Sequence, residues 1–208
     1  GGHLDGETMN KLIDARLREE LKSGVQTIQY QINTLMTTNG QSPFVTLFLN
    51  LDKDDEYLEE NAMIVEEILR QRLEGIKNEK GVYVTPAFPK LIYVLDEHNC
   101  LKGGKYDYIT KLAVECSSKR LYPDYISAKQ MRATYQGNVF SCMGCRSFLS
   151  PWKDENGNFK FEGRFNQGVV SINLPQIGIL ANKDEDAFWK LFDERLELCF
   201  EALMVRHN

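Results

Sequence analysis

The pattern that most constrains the fold is an alternation of long amphipathic stretches with short apolar runs. Residues 7–36 place apolar side chains mostly three or four positions apart, as on one face of a long helix. Residues 44–50 then form a short aromatic and β-branched run, which is typical of a buried strand. Residues 56–75 and 91–95 repeat the order of helix and strand. This alternation predicts an α/β fold.

The rest of the chain gives weaker signals of the same kind. The further expected elements are a strand at 169–175, helices at 106–117 and 184–205, and a loop or hairpin around the polar turn at 153–158. Residues 121–136 have no regular pattern and are expected to be irregular, with a turn at Tyr122-Pro123-Asp124. Because no internal repeat or low-complexity linker interrupts the chain, residues 1–208 are expected to form a single domain.

Charge and cysteine content restrict the partners and the compartment. The net charge is −5, from 25 basic and 30 acidic residues, and the longest basic run is a pair such as Lys119-Arg120, which argues against a nucleic acid polymer as partner. No apolar run approaches the ~20 residues of a membrane helix, and the N-terminal residues do not read as a secretory signal. The five cysteines are an odd number and do not form a secreted disulfide framework. These observations predict a soluble cytoplasmic protein without a membrane partner.

The stretch with the most chemical character is 141–147, Ser-Cys-Met-Gly-Cys-Arg-Ser. Apolar flanks and a glycine before Cys145 allow such a turn to enter a protein interior. A zinc site needs four ligands, and the chain has no second Cys-x-x-Cys and only isolated histidines, so no metal site is expected. A redox pair of Cys142 and Cys145 stays open, although Pro151 cuts short the helix that usually follows such a pair. Buried structural thiols are the third interpretation.

Three other polar stretches are less specific. Residues 40–43 and 163–168 could present backbone N–H groups to a ligand, although a lone glycine-containing turn is more often only a turn. Asp96, Glu97 and His98 follow a predicted strand and could form an acid–base cluster or a solvated strand end. None of these stretches identifies a function alone.

Four segments, taken together, are more specific than any one of them. They are Gln-Thr-Ile-Gln-Tyr-Gln-Ile-Asn-Thr-Leu at 26–35, Thr-Thr-Asn-Gly-Gln-Ser-Pro-Phe at 37–44, Met-Gly-Cys-Arg-Ser-Phe-Leu at 143–149, and residues 163–175 with their Val-Val-Ser-Ile-Asn-Leu-Pro core. In sequence and in order they resemble the anaerobic (class III) ribonucleoside-triphosphate reductases, a family of glycyl-radical enzymes. The resemblance implies that residues 1–208 are an internal portion of the catalytic barrel, a ten-stranded α/β barrel of two half-barrels with a central finger loop.

The same resemblance implies roles for particular residues. Cys145 matches the thiyl-radical cysteine at the tip of the finger loop, and Asn166 matches an asparagine near the substrate. Met143 is expected beside the reacting centre. The residues expected to line the substrate pocket are Thr37, Thr38, Asn39, Gln41 and Ser42. In the family scheme the thiyl removes the 3′ hydrogen of the ribose, the 2′ hydroxyl leaves as water, and a reductant, commonly formate, supplies electrons.

The implied partners are ribonucleoside triphosphates as substrates, deoxynucleotides or ATP as effectors, and a radical-SAM activating enzyme. The two long N-terminal helices resemble those of a homodimer interface. An Arg-x-Cys-Gly-Tyr glycyl-radical motif, the paired Cys-x-x-Cys zinc motifs and an ATP-binding cone do not occur in these 208 residues. We therefore expect no cofactor within this chain and no turnover by this chain alone. The alternative is a non-catalytic nucleotide-binding or assembly fragment of the same fold.

Overall fold

The computed structural model of the chain describes residues 5–36, 40, 42, 44–143, 148–149, 151–163 and 168–207. The chain divides into a first unit that ends at Phe148 and a second that begins at Leu149. The first contains, in order, α1 (Gly6–Thr34), β1 (Thr46–Leu49), α2 (Leu58–Glu74), β2 (Ile76–Lys77), β3 (Tyr83–Val84), β4 (Lys90–Leu95), α3 (Glu97–Cys100), α4 (Asp107–Arg120), β5 (Asp124–Ser127) and α5 (Ala128–Thr134). The second contains β6 (Trp152–Lys153), β7 (Phe159–Lys160), α6 (Leu174–Ala181) and α7 (Glu185–His207). The expectation of one domain over 1–208 remains a prediction.

The first unit is organised by a three-stranded sheet in the order β1-β4-β5. Both pairings are parallel, with Thr46 opposite Lys90 and Ile92 opposite Asp124. Successive parallel strands need a crossover connection, and α2 and α4 occur in the two crossovers. The coarse prediction of an α/β fold is confirmed, whereas the ten-stranded barrel and its finger loop are proposals.

The core of the first unit lies where α2 and α4 pack against each other and against the sheet. Leu69 of α2 and Ile109 of α4 are fully buried together with Leu91 and Tyr93 of β4. The intervening β4 residues, which point to the opposite face of the sheet, are buried as well. Burial on both faces is expected for the central strand of a parallel sheet.

The predicted N-terminal helix is confirmed as α1. It begins at Gly6 because the side chain of Asp5 accepts the N–H of Thr8 at 2.7 Å, which satisfies an otherwise unpaired donor. Val25 is its buried residue among those described, whereas Leu12 and Ile13 are 53% and 57% exposed. Most of the apolar stripe that marks this helix in the sequence is therefore uncovered in the described structure.

The prediction that 121–136 is irregular was wrong. Residues 124–127 form the edge strand β5, and α5 follows at once. The side chain of Ser127 accepts the N–H of Gln130 at 3.3 Å and thereby begins α5. The Ser-x-x-Gln spacing is a helix-start signal that the sequence contains.

The predicted strand at 169–175 was also wrong. Residues 168–173 form no regular structure, and α6 begins at Leu174. The side chain of Asn173 accepts the N–H of Gln176 at 3.1 Å, and Pro175 lies in the first turn, where its missing N–H costs nothing. Local capping chemistry therefore outweighs the β-branched composition of this stretch.

Two other predictions for the second unit are confirmed. β6 and β7 form an antiparallel hairpin whose turn is held by Asp154, since its side chain accepts the N–H groups of Asn156 and Asn158 at 3.0 and 2.9 Å. The predicted C-terminal helix is α7, which packs on α6. None of the described helices has the length and apolar character that crossing a bilayer requires.

Two arginines, the buried Arg72 and the half-buried Arg120, hold the amino edge of the sheet. Arg72 of α2 is only 1% exposed although it carries a charge. Its guanidinium donates to the carbonyls of Pro86, at 3.4 Å, and Pro89, just before β4. Arg120 donates to the carbonyls of Leu73 and Glu74 at 2.9 and 2.5 Å and so satisfies the end of α2. Burial lowers the pKa of Arg72 from its ordinary value.

Candidate functional site

The carboxyl ends of β1, β4 and β5 meet at one edge of the sheet because the three strands are parallel. Ligand sites are typically cavities of about 300–1,000 Å³, and the cavity at this edge measures ≈ 610 Å³. It is lined by Asp52, Lys53, Asp54, Asp96, Glu97, His98, Lys129, Arg132 and Gly137. In open α/β sheets this edge is where ligands bind.

Asp96 lies at the centre of this edge, between β4 and α3. Its Oδ1 accepts the N–H of Glu97 at 2.8 Å and Nη1 of Arg132 at 3.1 Å, and its Oδ2 accepts Nη2 of Arg132 at 2.5 Å. The hydrogen bond from Arg132 holds the pKa of Asp96 below its ordinary value. Asp96 is only 9% exposed, so it is a buried ion-paired carboxylate and not a solvated strand end. A carboxylate held in this way does not serve as a proton donor at neutral pH.

A second set of hydrogen bonds fixes the end of β4. The Asn99 side chain is fully buried, accepts the N–H of Asp96 at 2.9 Å and donates to the carbonyl of Val94 at 3.0 Å. The hydroxyl of Thr110 donates to the carbonyl of Asn99 at 2.7 Å and lies 2.8 Å from the hydroxyl of Tyr93. Burial raises the pKa of Tyr93 to about 12, so its hydroxyl keeps its proton. Within the part of the chain that the structure describes, no three His, Cys, Asp or Glu side chains converge to hold a metal ion.

Aromatic rings surround the base of the cysteine-containing stretch. The ring centroids of Tyr135 and Phe140 lie 4.8 Å apart, and those of Phe140 and Phe148 lie 6.3 Å apart, both in edge-to-face geometry. Phe140 and Cys142 are buried, at 5% and 3% exposure, and Met143 is half-buried. The burial of Cys142 agrees with the interpretation of this residue as a structural thiol.

A smaller cavity adjoins these rings. Its volume is ≈ 310 Å³, and most of its wall is apolar. The lining residues are Tyr125, Ile126, Ser127, Gln130, Met131, Thr134, Tyr135 and Phe148. It therefore lies between β5, α5 and the end of the first unit.

The second unit has its own cavity, of ≈ 430 Å³, between residues 170–173 and helices α6 and α7. Polar side chains of Ser171, Asn173 and Gln176 share its wall with Arg195 and Cys199. Of these side chains, that of Asn173 is committed to the start of α6, because its Oδ1 accepts the backbone N–H of Gln176. The wall follows directly on the stretch that contains the predicted Asn166.

The structure describes two of the predicted site residues. Ser42 is exposed ahead of β1, and Met143 is half-buried after Phe140. The remaining ones lie outside the described residues: Cys145, Asn166, Thr37, Thr38, Asn39 and Gln41. Their convergence on one site therefore stays a prediction, as does a redox pair of Cys142 with Cys145.

Sequence reasoning missed Arg132 as the partner of Asp96. The two residues are 36 positions apart, and Arg132 lies in the stretch that the sequence pattern left irregular. The Ser127-x-x-Gln130 signal could have placed Arg132 on a helix after a strand. No local signal could have shown that this helix begins at the edge of the sheet where β4 ends.

Comparisons with known proteins complete the description. The family model described as "Anaerobic ribonucleoside-triphosphate reductase" matches residues 7–208. The anaerobic ribonucleoside-triphosphate reductase of Escherichia coli (strain K12) is 44% identical over 195 residues, which cover 93% of this chain and 26% of that protein. The enzyme of the same name from Enterobacteria phage T4 is 43% identical over 198 residues, covering 92% of this chain and 32% of that protein. The chain thus spans roughly a quarter to a third of the curated relatives it matches. It belongs to the anaerobic ribonucleoside-triphosphate reductase family.

Proposed function

We propose that this chain is a portion of the catalytic core of an anaerobic reductase that converts ribonucleoside triphosphates to deoxyribonucleoside triphosphates. The supporting observation is the family match over residues 7–208, because it includes the stretches of both Cys145 and Asn166. In the complete protein, the three parallel strands would be part of the ten-stranded barrel, and residues 141–147 would form the finger loop.

In the proposed reaction, Cys145 carries the hydrogen atom. As a thiyl it takes the 3′ hydrogen of the ribose, and the 2′ hydroxyl then leaves as water. Two electrons and two protons are consumed overall, and formate is the proposed reductant. A hydrogen-atom carrier must keep its S–H neutral, which a dry interior favours since burial penalises the thiolate. The burial of the neighbouring Phe140 and Cys142 supports such an interior.

The radical itself has to come from outside these 208 residues. A glycyl radical, made by a radical-SAM activating enzyme, would supply the one-electron oxidation that converts Cys145 to a thiyl. The residue of this chain that would receive the radical is Cys145. We therefore expect the 208-residue chain alone to form no deoxynucleotide, and product formation by the purified chain would contradict this expectation.

Substrate contacts are proposed for three stretches. Met143 and Asn166 would lie beside the reacting centre, and the pocket residues would be Thr37, Thr38, Asn39, Gln41 and Ser42. Two described features support substrate contacts in the stretch 37–42. Gly40 adopts a φ of +74°, a conformation that glycine tolerates and that lets the chain turn sharply between α1 and β1. The neighbouring side chain of Ser42 is exposed and therefore accessible to a ligand.

A homodimer that binds deoxynucleotide or ATP effectors is proposed for the complete protein. The uncovered apolar stripe of α1 supports an interface, because Leu12, Ile13 and Leu17 are each more than 40% exposed. The same stripe also suits the alternative function, an assembly fragment without catalysis. Cysteine substitution separates the two functions, since only the enzyme needs the thiol of Cys145.

The test is deoxynucleotide formation by the full-length protein that contains this chain, after radical activation. Cys145→Ser is expected to lower kcat by at least about a thousandfold, because it removes the only proposed hydrogen-atom carrier. Cys142→Ser is the matched control, three residues away, and is expected to keep activity within about tenfold. Equal loss in both variants would favour a dithiol pair, and full activity of Cys145→Ser would contradict the proposed enzyme function.

A further inference from the structure

The two arms of the stretch that contains Cys145 meet at aromatic rings. Phe140 is the last residue before 141–147, and Phe148 is the first residue after it. Their ring centroids are 6.3 Å apart with an interplanar angle of 77°, which is the favourable edge-to-face arrangement. Two residues that are eight positions apart in sequence are therefore held together, so the chain between them starts and returns at one place.

The rings are anchored to the rest of the first unit. Tyr135, directly after α5, packs edge-to-face on Phe140 with centroids 4.8 Å apart. The same helix carries Arg132, whose two hydrogen bonds to Asp96 attach it to the end of β4. A continuous set of contacts thus runs from the central strand of the sheet, through α5, to both ends of the stretch.

We propose that Tyr135, Phe140 and Phe148 form an aromatic clamp that positions Cys145 for hydrogen-atom transfer. The inference rests on the proposed function, because it takes Cys145 as the radical-bearing residue. The three rings are positioning residues and touch no reacting atom. Hydrogen-atom transfer requires the sulfur to lie close to the 3′ hydrogen, and small errors in position reduce rates steeply. Fixing both arms of the stretch restricts where its middle can lie.

Phe148 is the clamp residue best suited to substitution. It is 40% exposed and is one of the residues that line the ≈ 310 Å³ cavity, whereas Phe140 is 5% exposed. Loss of the Phe148 ring therefore leaves the core intact. A tyrosine at this position keeps the ring and can direct its hydroxyl toward the open side.

The first experiment measures amide hydrogen exchange of residues 141–147 by mass spectrometry in the 208-residue chain. Phe148→Leu is expected to speed exchange of this peptide by about tenfold, because local opening no longer breaks a ring contact. Phe148→Tyr is expected to stay within about twofold of the parent chain. The control is Phe44→Leu, which removes an edge-to-face contact with Phe88, at 4.9 Å, elsewhere in the unit. It should leave exchange of 141–147 unchanged.

The second experiment measures the kinetics of the full-length, activated protein. Phe148→Leu is expected to lower kcat about tenfold with little change in KM, and Phe148→Tyr to restore it. Unchanged exchange at 141–147 in Phe148→Leu, or equal acceleration by Phe44→Leu, would overturn the clamp while leaving the role of Cys145 intact. Faster exchange with unchanged kcat would overturn its positioning role. Activity in Cys145→Ser would instead remove the proposed function and leave the clamp as structure.

Discussion

The two edges of the three-stranded sheet use arginine in different ways. At the amino edge, Arg72 and Arg120 donate to backbone carbonyls that precede β4 or end α2. At the carboxyl edge, Arg132 donates to the carboxylate of Asp96 beside a cavity of ≈ 610 Å³. At the amino edge the arginines therefore donate to neutral carbonyl oxygens, whereas at the carboxyl edge Arg132 donates to a charged carboxylate.

The difference between the two edges lies in the charge of the acceptor. Carbonyl acceptors do not titrate, so the bonds of Arg72 persist at any pH at which the chain is folded. The ion pair of Asp96 and Arg132 depends on the charge of a carboxylate and faces a space that a ligand can enter. The amino edge therefore fixes the fold, and the carboxyl edge is the one suited to binding.

The largest effect on the free energy of unfolding is expected at the amino edge, where Arg72 is buried. Arg72→Ala leaves two carbonyls without their donor and creates a cavity, and we expect it to lower the free energy of unfolding by about 3–5 kcal/mol. The matched control is Arg70→Ala on the same helix, where an exposed guanidinium pairs with Glu66 at 2.6 Å. That change should cost no more than about 0.5 kcal/mol. Urea unfolding measures both, and similar losses would show that burial of Arg72 contributes nothing.

The next effect tests the ion pair at the carboxyl edge. Asp96→Asn is expected to cost about 1.5–3 kcal/mol at pH 7, because it removes charge-assisted hydrogen bonds from a buried site. The pKa of Asp96 is lowered in the folded protein, so its stabilising contribution is present above the ordinary value of 3.8 and disappears as the pH falls through the lowered value. Urea unfolding at a series of pH values checks this dependence.

The double variant Asp96→Asn with Arg132→Gln provides the control for that pair. Because both residues share the same hydrogen bonds, the cost of the double variant should be well below the sum of the single costs. Additive costs would contradict a direct pair. The loss caused by Arg72→Ala should not depend on a carboxylate in this way, which sharpens the contrast between the edges.

A glycine tests how tightly the amino edge is packed. Gly75 ends α2 with a φ of +89°, and a Cβ there would lie 2.7 Å from the carbonyl oxygen of Val84 and 3.0 Å from Nη2 of Arg120. We expect Gly75→Ala to cost about 1–3 kcal/mol in thermal or urea unfolding. Gly24→Ala is the matched comparison, in the middle of α1 with open space around it. It should stabilise the chain by about 0.5–1 kcal/mol, and a loss there would contradict a regular helix at this point.

The smallest effect on the free energy of unfolding is expected for the hydrogen bonds of Thr110 near the end of β4. Thr110→Val removes the hydrogen bond to the carbonyl of Asn99 and the contact with the hydroxyl of Tyr93. We expect a loss of about 1 kcal/mol, measured by urea unfolding. Ser118→Ala, on the exposed side of the same helix, is the control and should change stability by less than about 0.5 kcal/mol. A cost for Thr110→Val no larger than this would mean that the hydrogen bonds at the end of β4 are redundant.

The elements that the sequence predicted well are those with long local periods. The helices α1, α2 and α7 repeat an apolar pattern over several turns, whereas α5 has seven residues and too few turns to establish one. Residues 169–172 have the composition of a strand, and only Asn173 with Pro175 indicates a helix start. Arg72 follows Ile68 by four positions and therefore lies on the apolar stripe of α2. This spacing predicts burial, whereas the charge of the side chain suggests exposure.

The predicted site residues have a different basis in the sequence. Cys145 and Asn166 came from resemblance to a family, and no local rule of helix or strand formation identifies them. The pairing of Asp96 with Arg132 joins residues 36 positions apart and depends on which strands are neighbours. Strand order is a property of the whole sheet, so the local pattern of each segment does not reveal which strands are neighbours.

The strand order has a practical consequence for anyone who prepares this chain by itself. In the described sheet, β1 and β5 are outermost and each pairs with β4 on one side. A strand carries backbone donors and acceptors on both of its sides, so each margin can act as a template for another chain. Pairing between copies of the chain through these two strands would make its state of association depend on its concentration.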